Sequence, residues 1–370
     1  MNSRIPNILL SVIKATLAGE IICENSGGKI TSEVFTSLTD QEWKELIELA
    51  QRHNILPLFC DGVIALRNSV PRRFLTQIVG LTLVAEDSYN HRVQVVNELA
   101  SLYANNNIPF MVIKGYGISL YYPNPTHRTF SDIDTYHFGR FQEADRLVVD
   151  ELGAEIDTGV HHHTTCVYKG VLIENHYDFI NTTQRNSNKR FEHILKLEAD
   201  NSSTERIMDG VRVLLPSAMF NVLFLMRHMA MHYAAERISI RHLCDWMQFI
   251  KAETPNIDWQ RVIDIYKEFN MKRFADAITG ICIAKLGMEE GLVPDVCSDV
   301  ELEERIFNDI LNPEFNEDKP TSGLFRIVWW KTRRYFSNSW KHKLIYKESV
   351  LRTFFQSSYS HLLKPKTIKH

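Results

Sequence analysis

Apolar residues recur along this chain at two different periods. From Ser37 to Asn106 the period is helical. Thr39-Asp40-Gln41-Glu42 opens one helix with a capping threonine and acidic residues in the first turn. Trp43, Leu46, Ile47, Leu49 and Ala50 follow at the spacing of one helix face. Val84 to Asn105 is a long amphipathic stretch, broken by Asn105-Asn106-Asn107. At the N-terminus, Ile8 to Ile13 followed by Lys14 predicts a surface helix rather than a signal peptide.

The period then shortens. Pro109 to Lys114 is a brief apolar run of the kind that forms a buried strand. Gly115-Tyr116-Gly117 turns into a short helix through Tyr121, and Pro123-Asn124-Pro125 reads as a loop. Ser131 to Phe138 is a second strand, and Arg140 to Leu152 a helix closed by Gly153. His162 to Tyr168 and Val171 to Phe179 are two strands joined at Lys169-Gly170. Beyond Asn181 the chain is polar, and Thr182 to Asn188 reads as a loop. Helices resume after Pro216: Ala218 to Ala235, Ile240 to Ala252, Trp259 to Phe269 and Phe274 to Leu286.

Composition adds exclusions. The chain has 370 residues, 44% hydrophobic and 24% charged, with ample apolar material for a core. A net charge of −3 argues against a general electrostatic trap for nucleic acid. The six cysteines are scattered without CxxC pairs, which favours reduced thiols and a cytoplasmic setting over a disulfide scaffold. The apolar stretch Ala218 to Met226 ends at Arg227, short of the roughly 20 residues that span a bilayer.

Chemistry concentrates in the middle of the chain. Asp132 and Asp134 are separated by one residue on a strand, so both carboxylates point to one side. Held that close they repel each other unless a cation lies between them, and Mg²⁺ prefers oxygen donors of this kind. Glu174 lies within the apolar run Val171-Leu172-Ile173, where an unpaired charge is costly. It is the candidate third metal ligand or general base. Three carboxylates converging from neighbouring strands suit a two-metal clamp on a transferring phosphate. Lys114 and Gly115, at a turn entering a helix, are candidates to hold a triphosphate through a point charge and backbone N–H groups. Arg128 is a further candidate, for a phosphate or for an acid of the site, because its guanidinium forks onto paired oxygens.

Ile113-Lys114-Gly115, Arg128, Asp132-Ile133-Asp134 and Glu174-Asn175-His176 together resemble the polymerase-β-like nucleotidyltransferase superfamily. The likeness is strongest to a bacterial family described only as uncharacterised nucleotidyltransferases, and runs from about Leu46 to Phe249. Aminoglycoside nucleotidyltransferases look like more distant relatives. The resemblance implies transfer of NMP from an NTP to an acceptor, with release of pyrophosphate and use of Mg²⁺, two ions being expected. It also implies that Arg241, His242 and Asp245, which match residues the family shows there, line the acceptor side of the cleft, and His176 beside Glu174 is a candidate to touch substrate or to support a residue that does. One departure is Tyr116, which stands where the superfamily carries Ser or Gly.

Histidines raise a zinc alternative. In a regular strand His161 and His163 share one face and His162 takes the other, so the three cannot all reach one ion. His228 and His232 sit i, i+4 on a helix with Glu236 a turn further, without HExxH, and read as a packed pair.

The last segment, Phe325 to His370, is rich in Lys, Arg and aromatics, with Glu348 its only acid. It reads as an amphipathic helical subdomain with a solvated basic face. Peripheral contact with an anionic membrane is the sharper alternative, and nucleic acid ranks below it.

The expected fold is α+β, a small mixed β-sheet nucleotidyltransferase core flanked by N-terminal and C-terminal helical regions. The expected divisions are a helical region over 1–106, the α/β core over 107–200, a helical acceptor-side domain over 201–290 and a basic aromatic segment over 291–370. The expected partners are a nucleoside triphosphate and an acceptor that is a small molecule, a sugar or a protein. A catalytically silent nucleotide- or partner-binding relative, such as a surface-polysaccharide assembly factor, is the alternative.

Overall fold

The computed structural model describes residues 4–19, 32–159, 161–183, 185–201, 203–208, 210–235, 237–315, 317 and 320–349. Cys23, Glu236 and the basic and aromatic residues Arg352, Phe354, Phe355, Lys364, Lys366 and Lys369 lie outside them.

Six strands form one mixed sheet: β1 (Met111–Ile113), β2 (Asp132–Tyr136), β3 (His163–Tyr168), β4 (Val171–His176), β5 (Ser203–Met208) and β6 (Val211–Pro216). Their order across the sheet is β3-β4-β2-β1-β6-β5. The central strand β2 runs antiparallel to β1 and parallel to β4, with Asp134 opposite Glu174 in register. The predicted turn between β3 and β4 is tight, and Lys169 and Gly170 both have positive φ, as a two-residue hairpin turn of type I′ requires.

The strand period sorts the side chains. Val112, Ile133, Val171, Ile173 and Val213 pack into one core with Val95, Leu99 and Tyr103 of the helix Arg72–Asn105 and with Ala144 and Val148 of the helix Phe141–Leu152. Alternation sends Asp132, Asp134, Glu174 and His176 to the opposite side. A larger helical core covers that side; its members include Phe220 and Phe224 of the helix Ala218–Ala235 and Leu243 and Phe249 of the helix Ile240–Glu253.

The N-terminal helices are stitched in from the sequence upward. Thr39 and Glu42 form a reciprocal capping box at the helix Asp40–Arg52. The first helix, Arg4–Ala18, corrects the expectation of a surface element: Leu9, Val12 and Ile13 are fully buried. It packs on the helix Leu56–Ala65, where Gly62 leaves room for Val12. The chain between Thr182 and Pro216, left largely unassigned by periodicity, contains the helix Asn186–Asn201 and the hairpin β5–β6. The segment 289–320, weakly patterned in sequence, holds the helix Val300–Leu311. The described part of the basic segment is helical, over Leu324–Ser337 and Ser339–Ile345. Among the described residues no helix is long and apolar enough to cross a membrane.

Candidate active site

The sheet face opposite the first core opens on a pocket of about 620 Å³. Asp132, Asp134 and Glu174 line its floor, Lys114 and Gly115 one edge, and Arg241, His242 and Asp245 the helical wall. Asp134 is buried, with Asp132 and Glu174 more open beside it.

Local geometry explains how the charges meet. Lys114 ends β1 with φ +52° and ψ −124°, a left-handed conformation that costs a non-glycine residue on the order of 1–3 kcal/mol. Its ammonium donates to Asp134 Oδ1 at 2.6 Å. Burial alone would lower the Lys114 pKa, but Asp134, Glu174 and Asp132 more than offset it and hold the amine above its ordinary value. Asp134 shows the mirror image. Burial would raise its carboxyl, yet Lys114 and His176 keep it well below the usual carboxylate range. Asp132 is pushed the other way, upward, by burial and by the neighbouring Asp134 and Glu174. Burial is the larger part of that push, and repulsion from the two acidic neighbours is the part a bound cation relieves.

His176 stands beside Glu174 in the same constellation. Its Nδ1 is 3.0 Å from the Asp178 carbonyl, and its Nε2 is 2.9 Å from Asp134 Oδ1 and 3.5 Å from Glu174 Oε2. Burial would lower its pKa, but the hydrogen bonds to Asp134 and Glu174 carry it up to about 9. Below that pH both ring nitrogens donate, and the ring acts as a second cation on Asp134.

Arg128 and Asp245 occupy a different setting. Arg128 Nε and Nη2 fork onto the two oxygens of Asp245 at 3.0 and 2.7 Å. Arg128 Nη1 donates to the Gly115 carbonyl, and the Tyr122 hydroxyl donates to Asp245 Oδ1. Against the upward push of burial, the arginine holds Asp245 down at about 2. This clamp ties the turn after β1 to the helix Ile240–Glu253. Arg241 Nη1 donates to the Thr129 carbonyl from one turn earlier on that helix, and its buried Nε has no hydrogen-bond partner.

Gly115 has a packing reason as well. A Cβ there would lie 3.1–3.2 Å from the Phe130 ring. Tyr116 is buried in the core on the far side of the sheet and does not line the pocket, so its bulk leaves the turn's open face free. The polar run after Asp134 also packs: Thr135 and His137 are fully buried, with His137 Nδ1 2.9 Å from the Pro109 carbonyl.

The structure thus brings Asp132, Asp134, Glu174, Lys114 and His176 together, and sets Arg128 with Asp245 beside the turn. His228 and His232 are a contacting pair with ring centroids 4.3 Å apart, both on the pocket wall. Periodicity missed Arg185, Asn188 and Arg237, which also line the pocket. The first two lie in or beside a helix whose buried face carries polar residues, so no apolar stripe marks it.

The donor set fits a hard divalent cation on its chemistry. Asp132, Asp134 and Glu174 offer oxygen ligands on one face, and burial together with Asp134 and Glu174 pushes the Asp132 carboxyl upward. Ligand atoms of Asp134, Glu174 and His176 lie within 4.8 Å of one another.

A family model described as uncharacterised nucleotidyltransferase matches residues 39–287. The chain is similar in structure to ANT(2″)-Ia in complex with adenylyl-2″-tobramycin, at 12% identity over 44% of this chain and 89% of that one, with a TM-score of 0.32. A solution structure of the antibiotic-resistance factor ANT(2″)-Ia gives 14% identity, 50% and 95% coverage and a TM-score of 0.36. An antigenic nucleotidyltransferase-like protein from Paracoccidioides brasiliensis gives 18% identity, 53% and 92% coverage and a TM-score of 0.32. No curated protein matches the chain.

Proposed function

This chain belongs to the family of uncharacterised nucleotidyltransferases, and from that premise we propose that it moves NMP from an NTP to an acceptor hydroxyl or phosphate and releases pyrophosphate. One observation carries the reading. Asp134 and Glu174 are direct partners on adjacent parallel strands, with Asp132 on the same face, all three on the floor of one pocket.

The residues divide the work. Asp132 and Asp134 would hold Mg²⁺, with Glu174 as a third ligand or as the general base, and the ion would supply charge stabilisation to the α-phosphate and the departing pyrophosphate. Lys114 sets a positive charge at the edge of the same floor and binds the triphosphate. The backbone of the turn at Gly115 approaches it from the same edge. Glu174 accepts the acceptor's proton as its oxygen forms the new bond to Pα and the Pα–O–Pβ bond breaks. Arg128 holds that turn in place through the Gly115 carbonyl. His176 orients Asp134, and Arg241 with Asp245 shapes the acceptor side of the cleft.

The test is a screen of labelled NTPs, with Mg²⁺, against candidate acceptors and cell extract. Wild-type protein is expected to release pyrophosphate and label an acceptor, and Asp132→Asn to do neither. Equal turnover by the two proteins would sink the reading.

A second reading draws on the contacts of Asp134. Lys114 and His176 both lie on the same oxygen, so the carboxylate is neutralised by the protein's own cations. A nucleotide-binding protein without turnover would look like this. Calorimetry showing tight NTP binding, with no pyrophosphate released across a broad acceptor panel, would favour it over the transferase.

A further inference from the structure

Sequence alternation separates His162 from His163, but the strand order begins only at His163. His162 sits just outside the regular ladder, and its carbonyl accepts from the backbone N–H groups of Tyr177 and Asp178 at 3.2 and 3.1 Å. That double anchor turns the residue back toward the end of β4. The rings of His162, His163 and His176 then cluster, with centroids 4.4, 5.6 and 4.9 Å apart. A ring nitrogen from each lies within 4.8 Å of the other two.

We propose that His162, His163 and His176 form a transition-metal site of the zinc class, separate in its ligands from the Asp132 and Asp134 carboxylates. Two features beyond proximity support it. The Nδ1 atoms of His162 and His163 are buried and have no hydrogen-bond partner, a costly state that a metal or proton would remedy. His176 is anchored through its Nδ1 to the Asp178 carbonyl, the outer hydrogen bond that orients a ligating imidazole, and metal binding would release the proton that its Nε2 shares with Asp134 Oδ1.

The chemistry then selects the ion. Three imidazoles are a borderline-soft donor set that suits Zn²⁺, Co²⁺ or Ni²⁺, whereas Mg²⁺ prefers oxygen. Metal–nitrogen bonds of about 2.0–2.1 Å require the three rings to close in on one another from their present spacing. Three protein ligands leave a fourth position open, and Glu174 stands beside it, 3.8 Å from His163 Nε2 and 3.5 Å from His176 Nε2. The ion would tie the segment before β3 to the end of β4 and take the place of the proton between His176 and Asp134.

The experiment uses the full chain, stripped with a chelator and then exposed to Zn²⁺ alone or Co²⁺ alone. Wild-type protein is expected to carry one Zn²⁺ per chain through gel filtration, to gain thermal stability with Zn²⁺, and to give Co²⁺ visible bands of a nitrogen-rich site. His163→Gln is expected to weaken Zn²⁺ binding by about 100-fold or more, beyond the cost of losing an outer partner. His162→Gln, at a half-buried position that tolerates replacement, is expected to lose the Zn²⁺-dependent gain in melting temperature while the metal-free melting temperature stays near wild type. Asp132→Asn is expected to keep the Zn²⁺. No retained Zn²⁺ in the wild type, or undiminished retention in both histidine variants, overturns the proposal and leaves the cluster a set of packed neutral rings. Zn²⁺ retained by a protein that never turns over NTP would sink the transferase reading and leave this one standing.

Discussion

Two buried ion pairs sit a few residues apart in this molecule, and they are built for different ends. Arg128 and Asp245 form a closed pair: both carboxylate oxygens face a forked guanidinium, and the remaining donors reach Gly115 and come from Tyr122. Lys114 and Asp134 form an open pair, a single contact on one oxygen, with Asp132 and Glu174 adding negative charge beside it. The closed pair is satisfied within the fold and holds two elements in place. The open pair leaves three carboxylates facing two local cations, Lys114 and His176, in a pocket large enough for a nucleotide. Burial of charge alone therefore does not mark a functional site. Incomplete internal compensation does.

The comparison breaks most sharply at the closed pair. Asp245→Ala leaves Arg128 buried without a counter-charge and should cost about 3–5 kcal/mol in urea unfolding. Arg128→Met combined with Asp245→Leu should recover most of that loss. If the double variant stays as unstable as the single one, the clamp does more than balance charge.

At the open pair the order of effects reverses. Asp132→Asn should lower NMP transfer by about 10²–10³-fold, the scale of removing one electrostatic group from a transfer site. Its unfolding free energy should change little or rise, because the substitution relieves repulsion with Asp134 and Glu174. A loss of stability comparable with that of Asp245→Ala would erase the distinction between the pairs.

Gly115→Ala probes the turn shared by both pairs. The added methyl would press on Phe130 at 3.1–3.2 Å, and overpacking should cost about 1–3 kcal/mol. Phe130→Leu should restore part of the stability, as read from melting curves.

Glu192 supplies the smallest effect. It is a buried carboxylate that accepts the backbone N–H groups of Phe179 and Ile180, just beyond β4. Burial, the leading cause, pushes its pKa up to about 7 from an ordinary 4.5. A folded pKa above the unfolded one means that the native state keeps the proton longer. This group's contribution therefore falls as pH rises from 4.5 to 7 and is level above. Glu192→Gln should flatten that part of the stability–pH curve relative to wild type, measured by denaturant midpoints across the range. An unchanged slope would show that the carboxylate is ionised throughout.

How much was legible beforehand depended on where the apolar residues lie. Helices whose apolar residues face the core were readable, as at Ala218–Ala235 and at the capped start of the helix Asp40–Arg52, although the long helix Arg72–Asn105 begins well before the Val84 that the pattern marked. The helix Asn186–Asn201 was not, because its buried face mixes Phe191 and Leu195 with Asn188, Glu192 and Glu198. Those polar groups are satisfied by partners far along the chain, among them Arg227 and Arg261. The hairpin β5–β6 escaped for a related reason. It is a sheet edge, with Glu205, Arg206 and Arg212 exposed, and charged edges carry little alternation.

The sequence by itself determined that Asp132 and Asp134 share a face, that a Lys-Gly turn precedes them and that Glu174 is carried by a later apolar strand, since strand periodicity and turn chemistry are local. The partners of those charges were decided by the tertiary structure. Strand order set Glu174 opposite Asp134, strained backbone aimed Lys114 at the same oxygen, and the helix Ile240–Glu253 closed Asp245 onto Arg128. Charge pairing acts through space across more than a hundred residues of chain, and no local pattern records which carboxylate a cation will meet.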